Sequence, residues 1–167
     1  MKASRVTFML ILLLVCCVMP VSTVVMNIEF RQECSGYLKQ AADANSVEIA
    51  LNRIDKALNY IESHGLTKGY TSILYRTEND NIGFWYENIK ACKNELAVCI
   101  NSTPLEKTNV LMKVRESLTD QGENGTELTI PSGISRYPNN TLYAILNTIS
   151  VLCGFFCLIF LKVELEW

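Results

Sequence analysis

The segment that decides how this chain is organised reads Val6-Thr-Phe-Met-Leu-Ile-Leu-Leu-Leu-Val-Cys-Cys-Val-Met-Pro-Val-Ser-Thr-Val-Val-Met26, and its apolar character continues to Ile28. It contains no charged residue, and Lys2 and Arg5 precede it. As an α-helix it spans roughly 35 Å, which is enough to cross a hydrocarbon core of about 30 Å. The sequence therefore predicts that residues 6–28 enter a membrane.

Residues 6–28 are interpreted either as a cleaved signal peptide or as a retained transmembrane anchor. A signal peptide has a basic start, an apolar centre and a breaker, which Pro20 supplies here. We favour the retained anchor, because Val21-Ser22-Thr23 lacks the Ala-x-Ala pattern that signal peptidase prefers. A lipoprotein signal at Cys16 is least favoured, because a bulky valine precedes that cysteine.

A second uncharged apolar run covers residues 141–161. We interpret it as a second transmembrane helix, in which Asn147, Thr148 and Ser150 are suited to hydrogen bonding between helices. The alternative is a lipid-anchor signal that is removed from the mature chain. Such signals end in apolar residues, whereas Lys162 and two glutamates follow this run.

Basic residues near the two apolar runs predict the orientation of the chain. Lys2, Arg5 and Lys162 place the tails 1–5 and 162–167 in the cytoplasm, so the central residues are expected to be extracytoplasmic in the cell membrane. Residues 29–140 hold 12 of the 15 Lys and Arg and 15 of the 17 Asp and Glu, a net charge of −3. This balance argues against nucleic-acid binding.

Four amphipathic helices are predicted within residues 29–121, because apolar residues recur there every three or four positions. Their apolar faces comprise Phe30, Cys34, Leu38 and Ala41; Val47, Ala50, Leu51, Ile54, Ala57, Leu58 and Ile61; Ile82, Trp85, Ile89, Cys92, Leu96 and Cys99; and Val110, Leu111, Val114 and Leu118. The expected fold class is all-α, a small antiparallel bundle outside the membrane flanked by N- and C-terminal transmembrane helices.

Capping signals predict where these helices begin. Asn45-Ser46-Val47-Glu48 is typical of a cap with a carboxylate in the first turn, and Asp80 or Asn81 is the expected cap of the third helix. Thr103-Pro104-Leu105-Glu106 combines an N-cap, a proline at the first helical position and a carboxylate at N3.

Glycines predict where the helices weaken or end. Gly65 is the expected left-handed C-cap of the second helix, and Gly36 is a weak point in the first. The fourth helix is expected to end near Gln121-Gly122. Residues 122–140 then form a linker with at most one short strand, and residues 66–81 form either a short strand or a packed loop.

Three of the seven cysteines lie outside the apolar runs, namely Cys34, Cys92 and Cys99. Cys92 and Cys99 are two helical turns apart, about 10 Å, which is too far for a bond between them. All three lie on predicted core faces. One hypothesis is a disulfide from Cys34 to Cys92 or Cys99, and the alternative is three buried free thiols.

The sequence contains no recognisable catalytic, cofactor-binding or metal-binding motif. It has no G-x-S-x-G, no H-E-x-x-H, no glycine-rich phosphate loop and no C-x2-C pair. The single histidine, His64, lies near a predicted helix C-terminus, where it meets the negative end of the helix dipole. Glu78-Asn79-Asp80-Asn81 lacks the spacing of a calcium loop and is better explained by capping. We therefore expect a protein that is not an enzyme and needs no cofactor.

The expected contact surface consists of residues 66–81 and the aromatic residues Phe84-Trp85-Tyr86. Three adjacent rings cover more than half of a helix circumference, so Phe84 or Tyr86 must face a loop, the membrane surface or a partner when Trp85 enters the core. The candidates for partner docking are Tyr70, Ile73, Tyr75, Phe84 and Tyr86.

Three stretches, residues 30–45, Gly83-Phe-Trp-Tyr-Glu-Asn88 and residues 105–117, resemble a family of small bacterial membrane-anchored helical proteins with no assigned activity. The resemblance implies a bacterial inner membrane and a periplasmic central domain, and it brings no functional residues.

Two functions are compatible with these features. The first is a membrane-anchored extracytoplasmic interaction or scaffold protein, integral to the membrane, that docks a protein partner through its helical bundle. The alternative is an extracytoplasmic ligand-sensing domain. Because the predicted cytoplasmic tails are only a few residues long, such a sensor must signal through a separate membrane partner.

Overall fold

Helices make up most of this chain. The computed structural model describes residues 2–122, 125–136 and 138–166. In chain order the elements are α1 (Lys2–Phe30), α2 (Gly36–Ala42), α3 (Val47–Ser63), α4 (Ile82–Val98), α5 (Pro104–Leu118), β1 (Thr119–Gly122), β2 (Gly125–Leu128) and α6 (Thr141–Glu166). The prediction of a mostly helical chain is confirmed, and a small two-stranded sheet is added to it.

The chain divides into two compact units. One comprises Met1–Asn27 and Asn140–Trp167, and we call it the apolar helix pair. The other comprises Ile28–Asn139, and we call it the core domain.

In the apolar helix pair, α1 packs against α6. The hydroxyl of Tyr143 lies 2.8 Å from Oγ of Ser22 and 3.0 Å from Oγ1 of Thr23. Farther along α6, the hydroxyl of Ser150 donates to the carbonyl of Cys16. Because later residues of α6 meet earlier residues of α1, the two helices run antiparallel.

Two helical segments, Arg5–Ala42 and Thr141–Glu164, are long and apolar enough to cross a membrane. Most large apolar side chains along α1 and α6 are exposed, whereas the core domain contains a large buried apolar cluster. The two apolar runs recognised in the sequence thus lie within helices.

The core domain is built around α2, α3, α4 and α5. Helix α2 packs against α3 and α5, and α4 packs against the same two helices. The predicted core positions that are buried are Phe30, Cys34, Leu38, Ala41, Val47, Ala50, Ile54, Ala57, Leu58, Ile61, Ile82, Trp85, Ile89, Cys92, Leu96, Val110, Val114 and Leu118. The predicted positions Leu51, Cys99 and Leu111 are only partly buried at the edge of this core.

The predicted caps of α3, α4 and α5 are present. Oγ of Ser46 accepts the amide of Ile49 at 3.3 Å, and Oδ1 of Asn81 accepts the amide of Phe84 at 3.1 Å. Thr103 and Glu106 form the reciprocal capping box of α5. Each interaction satisfies an amide that the helix leaves unpaired, which explains why these helices begin where they do.

Gly65 ends α3 in the predicted left-handed conformation, with φ +67°. The amide of Leu66 donates to the carbonyl of Ile61 at 2.8 Å, and the amide of Gly65 donates to that of Glu62 at 3.1 Å. This pair of bonds is the Schellman motif, and it directs the buried side chain of Leu66 back into the core.

A π-helical turn, Arg31–Ser35, joins α1 to α2. The amide of Gly36 donates to the carbonyl of Arg31, and a Cβ at Gly36 would lie only 2.9 Å from that oxygen. Glycine is therefore the residue that tolerates this turn. The predicted weak point thus coincides with a local change of helix type.

The predicted end of α5 near Gln121-Gly122 is wrong. Helix α5 ends at Leu118, and β1 follows at once and pairs antiparallel with β2, so that Thr119 lies opposite Leu128. Thr119 has extended backbone angles, and its hydroxyl donates to the carbonyl of Arg115. Strand pairing thus replaces the last predicted helical turn.

Residues 66–81 form a loop and not the short strand that was the other predicted alternative. A single antiparallel bridge joins Tyr70 to Asn81, and a 3₁₀ turn covers Glu78–Asp80. The amide of Ile82 also donates to the carbonyl of Gly69 at 2.9 Å. These bonds connect the two ends of the loop directly before α4.

Candidate functional site

A groove of about 490 Å³ opens in the core domain between the start of α4 and the β1–β2 hairpin. We call it the aromatic groove. It is lined by Glu78, Asn79, Asn81, Phe84, Trp85, Asn88, Asp120, Gln121, Gly122, Glu127, Leu128, Thr129, Ile130 and Pro131.

The first turns of α4 supply the aromatic part of the groove. Asn81 caps the helix, and Phe84, Trp85 and Asn88 of its first two turns line the groove. Trp85 is 6% exposed and also belongs to the core, whereas Phe84 is 66% exposed. The groove therefore has one fixed ring and one open ring, which together form an apolar contact surface.

The β1–β2 hairpin supplies the opposite wall. Asp120 lies directly across from Glu127 in the strand register, so their two carboxylates share one region of the groove. The side chain of Glu127 also lies over Gly122, where a Cβ would approach its Cδ to 2.8 Å. After β2, the amide of Thr129 donates to the carbonyl of Leu118 and brings Ile130 and Pro131 to the groove.

The charged side chains that line the groove are all acidic. Three carboxylates line it, from Glu78, Asp120 and Glu127, together with the side-chain amides of four Asn and Gln residues. No Lys, Arg or His is present among the described residues of the lining, and these carboxylates form no ion pair with any described residue. Carboxylates beside open aromatic faces favour a cationic group.

The 3₁₀ turn at the edge of the groove is held by Asp80. Its carboxylate accepts the amide of Thr77 at 3.1 Å, the hydroxyl of Thr77 at 2.6 Å and the hydroxyl of Thr71 at 3.2 Å. These bonds, chiefly the one from the Thr77 hydroxyl, hold the pKa of Asp80 below its ordinary value. The neighbouring groove residues Glu78 and Asn79 are therefore presented by a turn with fixed hydrogen bonds.

Only one of the five predicted docking residues, Phe84, lines the aromatic groove. Ile73 is partly buried in the loop, while Tyr75 is 80% exposed beside Leu74, which is 98% exposed. These loop residues form no part of the groove lining. Exposed apolar side chains at a loop tip remain available for contact, so Tyr75 stays a docking candidate.

The other two predicted docking residues already have partners within the chain. The guanidinium of Arg76 lies 5.2 Å from the ring centre of Tyr70, and the ammonium of Lys90 lies 5.1 Å from that of Tyr86. The hydroxyl of Tyr86 donates to Glu62 at 2.8 Å, and this bond raises the pKa of Tyr86. Tyr70 and Tyr86 thus make contacts within the domain, and their docking role stays a prediction.

Cys34, Cys92 and Cys99 all have free thiols in the structure. Burial raises the pKa of Cys34 to about 12 and also raises that of Cys92. Cys92 lies beside Ser117 of α5, whereas Cys34 lies close to Tyr60 of α3. Cys34 and Cys92 therefore have different surroundings, and the disulfide stays an untested hypothesis beside the alternative of three free thiols.

His64 lies at the end of α3, as expected from the sequence. Its ring stacks on Tyr60 with 3.9 Å between centres, and its Nε2 lies 3.6 Å from Oε1 of Glu29. Among the described residues, no group of three or more His, Cys, Asp or Glu side chains is placed to hold a metal ion.

Sequence reasoning missed the hairpin side of the groove, including Asp120 and Glu127. The available signal was the sequence Gly122-Glu-Asn-Gly125, because an Asn-Gly pair marks turns. It was assigned instead to a helix end and a linker. Asn88 was missed because a polar residue on an exposed helix face carries no local signal.

Comparison of the chain with protein families, with curated proteins and with solved structures finds no match.

Proposed function

We propose that this chain is a non-catalytic, membrane-anchored interaction protein that docks a partner protein through the aromatic groove. The observation that carries the proposal is the exposed ring of Phe84 beside buried Trp85, in a groove that also contains Leu128 and Ile130. Exposed aromatic residues over a preformed apolar surface are typical of the anchor regions of protein interfaces.

The proposed anchorage uses α1 and α6 as two transmembrane helices. Their length and apolar surface support it, and basic residues near the ends of the runs favour an extracytoplasmic core domain. The core domain is then a small helical bundle outside the membrane, periplasmic in a bacterium. Protease added to intact spheroplasts should digest the core domain, and carbonate washing should leave the chain in the membrane.

Site-specific photocrosslinking tests the docking site. The photoreactive residue p-benzoylphenylalanine is placed at position 84 in the full chain in its native membrane, and at Met112 as the control. Met112 is a 53% exposed apolar residue of α5 that does not line the groove. We expect a discrete adduct from position 84 and none from position 112.

Co-purification with a matched pair of substitutions completes this test. Phe84→Ala should remove the adduct partner from the purified complex, and Met112→Ala should retain it. Equal adducts from both positions, or a partner that survives Phe84→Ala, would show that the groove is not the docking site.

A ligand-sensing domain is the second candidate, and the volume of the groove favours it. About 490 Å³ lies within the range of roughly 300–1,000 Å³ that small-molecule sites occupy. A sensor should gain thermal stability from a compound that enters the groove, and that gain should disappear in Phe84→Ala. A compound panel that leaves the unfolding temperature unchanged would argue against sensing.

A further inference from the structure

On the basis of the proposed docking function, we infer that the partner segment is basic: it inserts a Lys or Arg side chain between the rings of the aromatic groove and its carboxylates. The segment also carries an apolar residue next to the cation, which packs against Leu128 and Ile130. The occupant is thus a basic, partly apolar peptide segment of another protein.

The charges in the groove are the first argument. Asp120 and Glu127 face each other across the strand register, and Glu78 lies on the opposite side beside α4. With no cation in the described lining, the three carboxylates have no neutralising neighbour. A cation placed between them meets favourable charge on both walls.

The aromatic rings of the core domain give the second argument. Three tyrosines of this domain each have a cation over the ring: Tyr37 has Lys56 at 5.3 Å, Tyr70 has Arg76 at 5.2 Å and Tyr86 has Lys90 at 5.1 Å. Phe84 and Trp85 have no such cation from any described residue. The groove therefore contains aromatic rings and carboxylates for which a cation must come from outside.

The apolar residues of the hairpin wall give the third argument. Ile130 and Leu128 are only partly buried, and both lie in the groove lining next to buried Pro131. A bare inorganic cation gains nothing from this wall, whereas an aliphatic side chain beside Lys or Arg covers it. The aliphatic stem of Lys or Arg itself also packs on aromatic rings.

Peptide binding to the full chain in an uncharged detergent tests the inference. The probes are a fluorescein-labelled Gly-Arg-Leu-Lys-Gly peptide amide, a matched peptide with Glu in place of both basic residues, and free arginine amide. Fluorescence anisotropy gives the affinities. Trp85 emission, recorded in a Trp167→Phe background with one remaining tryptophan, reports whether the groove itself is occupied.

We expect the basic peptide to bind and to change Trp85 emission, and the acidic peptide to do neither. The double variant Asp120→Asn/Glu127→Gln should weaken binding about tenfold or more. Glu116→Gln, a charge loss on the exposed face of α5 outside the groove, is the matched control and should bind as the wild type does. Raising the salt concentration should weaken binding because the carboxylates are solvent-exposed.

Three results would overturn the inference: equal binding of the acidic peptide, full binding by the double variant, or saturation by arginine amide alone with the affinity of the peptide. The last result would assign the groove to a small cation. If the crosslink from position 84 and its loss in Phe84→Ala persist while these charge tests fail, docking stands and only its basic chemistry is wrong. If the crosslink also fails, the proposed function fails.

Discussion

Asn139 occupies the space that a side chain at Gly69 would need. A Cβ at Gly69 would overlap the amide group of Asn139, and both residues have positive φ, +99° and +54° respectively. Nδ2 of Asn139 donates to the carbonyl of Lys68 at 2.9 Å, and its backbone amide donates to that of Tyr70 at 3.3 Å. The end of the linker is thereby fixed to the loop that precedes α4.

Gly69→Ala should destabilise the core domain. Alanine avoids the positive φ that the fold requires at position 69, and its Cβ would also displace the side-chain amide of Asn139. The expected cost is about 2 kcal/mol or more in the free energy of unfolding. Chemical denaturation followed by circular dichroism measures the change.

Gly65→Ala is the matched control for Gly69→Ala. Gly65 also has positive φ, but the position of its Cβ is open, so only the left-handed conformation is penalised, by about 1 kcal/mol. Equal losses in the two variants would mean that Asn139 does not hold the loop as the structure has it.

Asp80 should make the loop before α4 sensitive to acid. Because its pKa is lowered in the folded state, its stabilising contribution is complete above the ordinary value of 3.8 and is lost as the pH falls through the lower folded-state pKa. The unfolding temperature of Asp80→Asn should therefore lie below that of the wild type at neutral pH. The difference should shrink toward zero as the pH falls below the folded-state pKa of Asp80.

Thr77→Val is the control for the acid response of Asp80. It removes the hydroxyl that contributes most to the lowered pKa of Asp80, so the acid-induced loss of stability should be smaller than in the wild type and should be complete at a higher pH. A wild-type curve that stays parallel to that of Asp80→Asn down to low pH would contradict the assigned role of the carboxylate.

The three cysteines of the core domain should be unmodified thiols with different reactivities. Cys34 and Cys92 are buried with raised pKa values, so alkylation of the folded chain should modify partly exposed Cys99 first. Cys34 should react only after unfolding. Peptide mass spectrometry without reductant measures each site, and a peptide containing Cys34 linked to Cys92 or Cys99 would instead establish the disulfide hypothesis.

The contact between α1 and α6 should be detectable by oxidation of native cysteines. Cys16 lies against Cys153 and packs on Gly154, where a Cβ would be 3.6 Å from its own. Copper–phenanthroline in air should therefore link the peptide that contains Cys16 to the one that contains Cys153. Mass spectrometry after proteolysis identifies the product.

Cys17 provides the control for this cross-link, because it is the adjacent residue and is exposed. Cys17→Ser should leave the yield unchanged, whereas Cys16→Ser should abolish it. The opposite pattern would mean that α1 presents a different face to α6.

Features encoded by a few adjacent residues were predictable. Ser46, Asn81 and Thr103 cap the helices that the sequence assigns to them, because a cap depends only on a side chain and an amide two or three positions later. Helical periodicity likewise identified the buried faces, since a residue's position around a helix follows from its number. The misplaced end of α5 lies where residues 119–122 have weak local preferences and pairing with β2 decides the conformation.

The candidate site was only partly predictable. Phe84 was selected because three adjacent rings cannot all enter a core, but Glu78, Asp120 and Glu127 were not connected to it. Charged residues on exposed surfaces show no pattern that reveals which distant residue they will face.

The sequence by itself determined the two apolar helices, the helices of the core domain, their caps and their buried faces, because periodicity and capping operate over a few residues. Only the tertiary structure decided that the hairpin faces Phe84 to form a groove and that Asn139 meets a loop 69 residues earlier at Tyr70. Such contacts depend on how the packed helices bring distant segments together. These long-range contacts are stabilised by burial and hydrogen bonding across the whole domain. No short stretch of sequence contains that information.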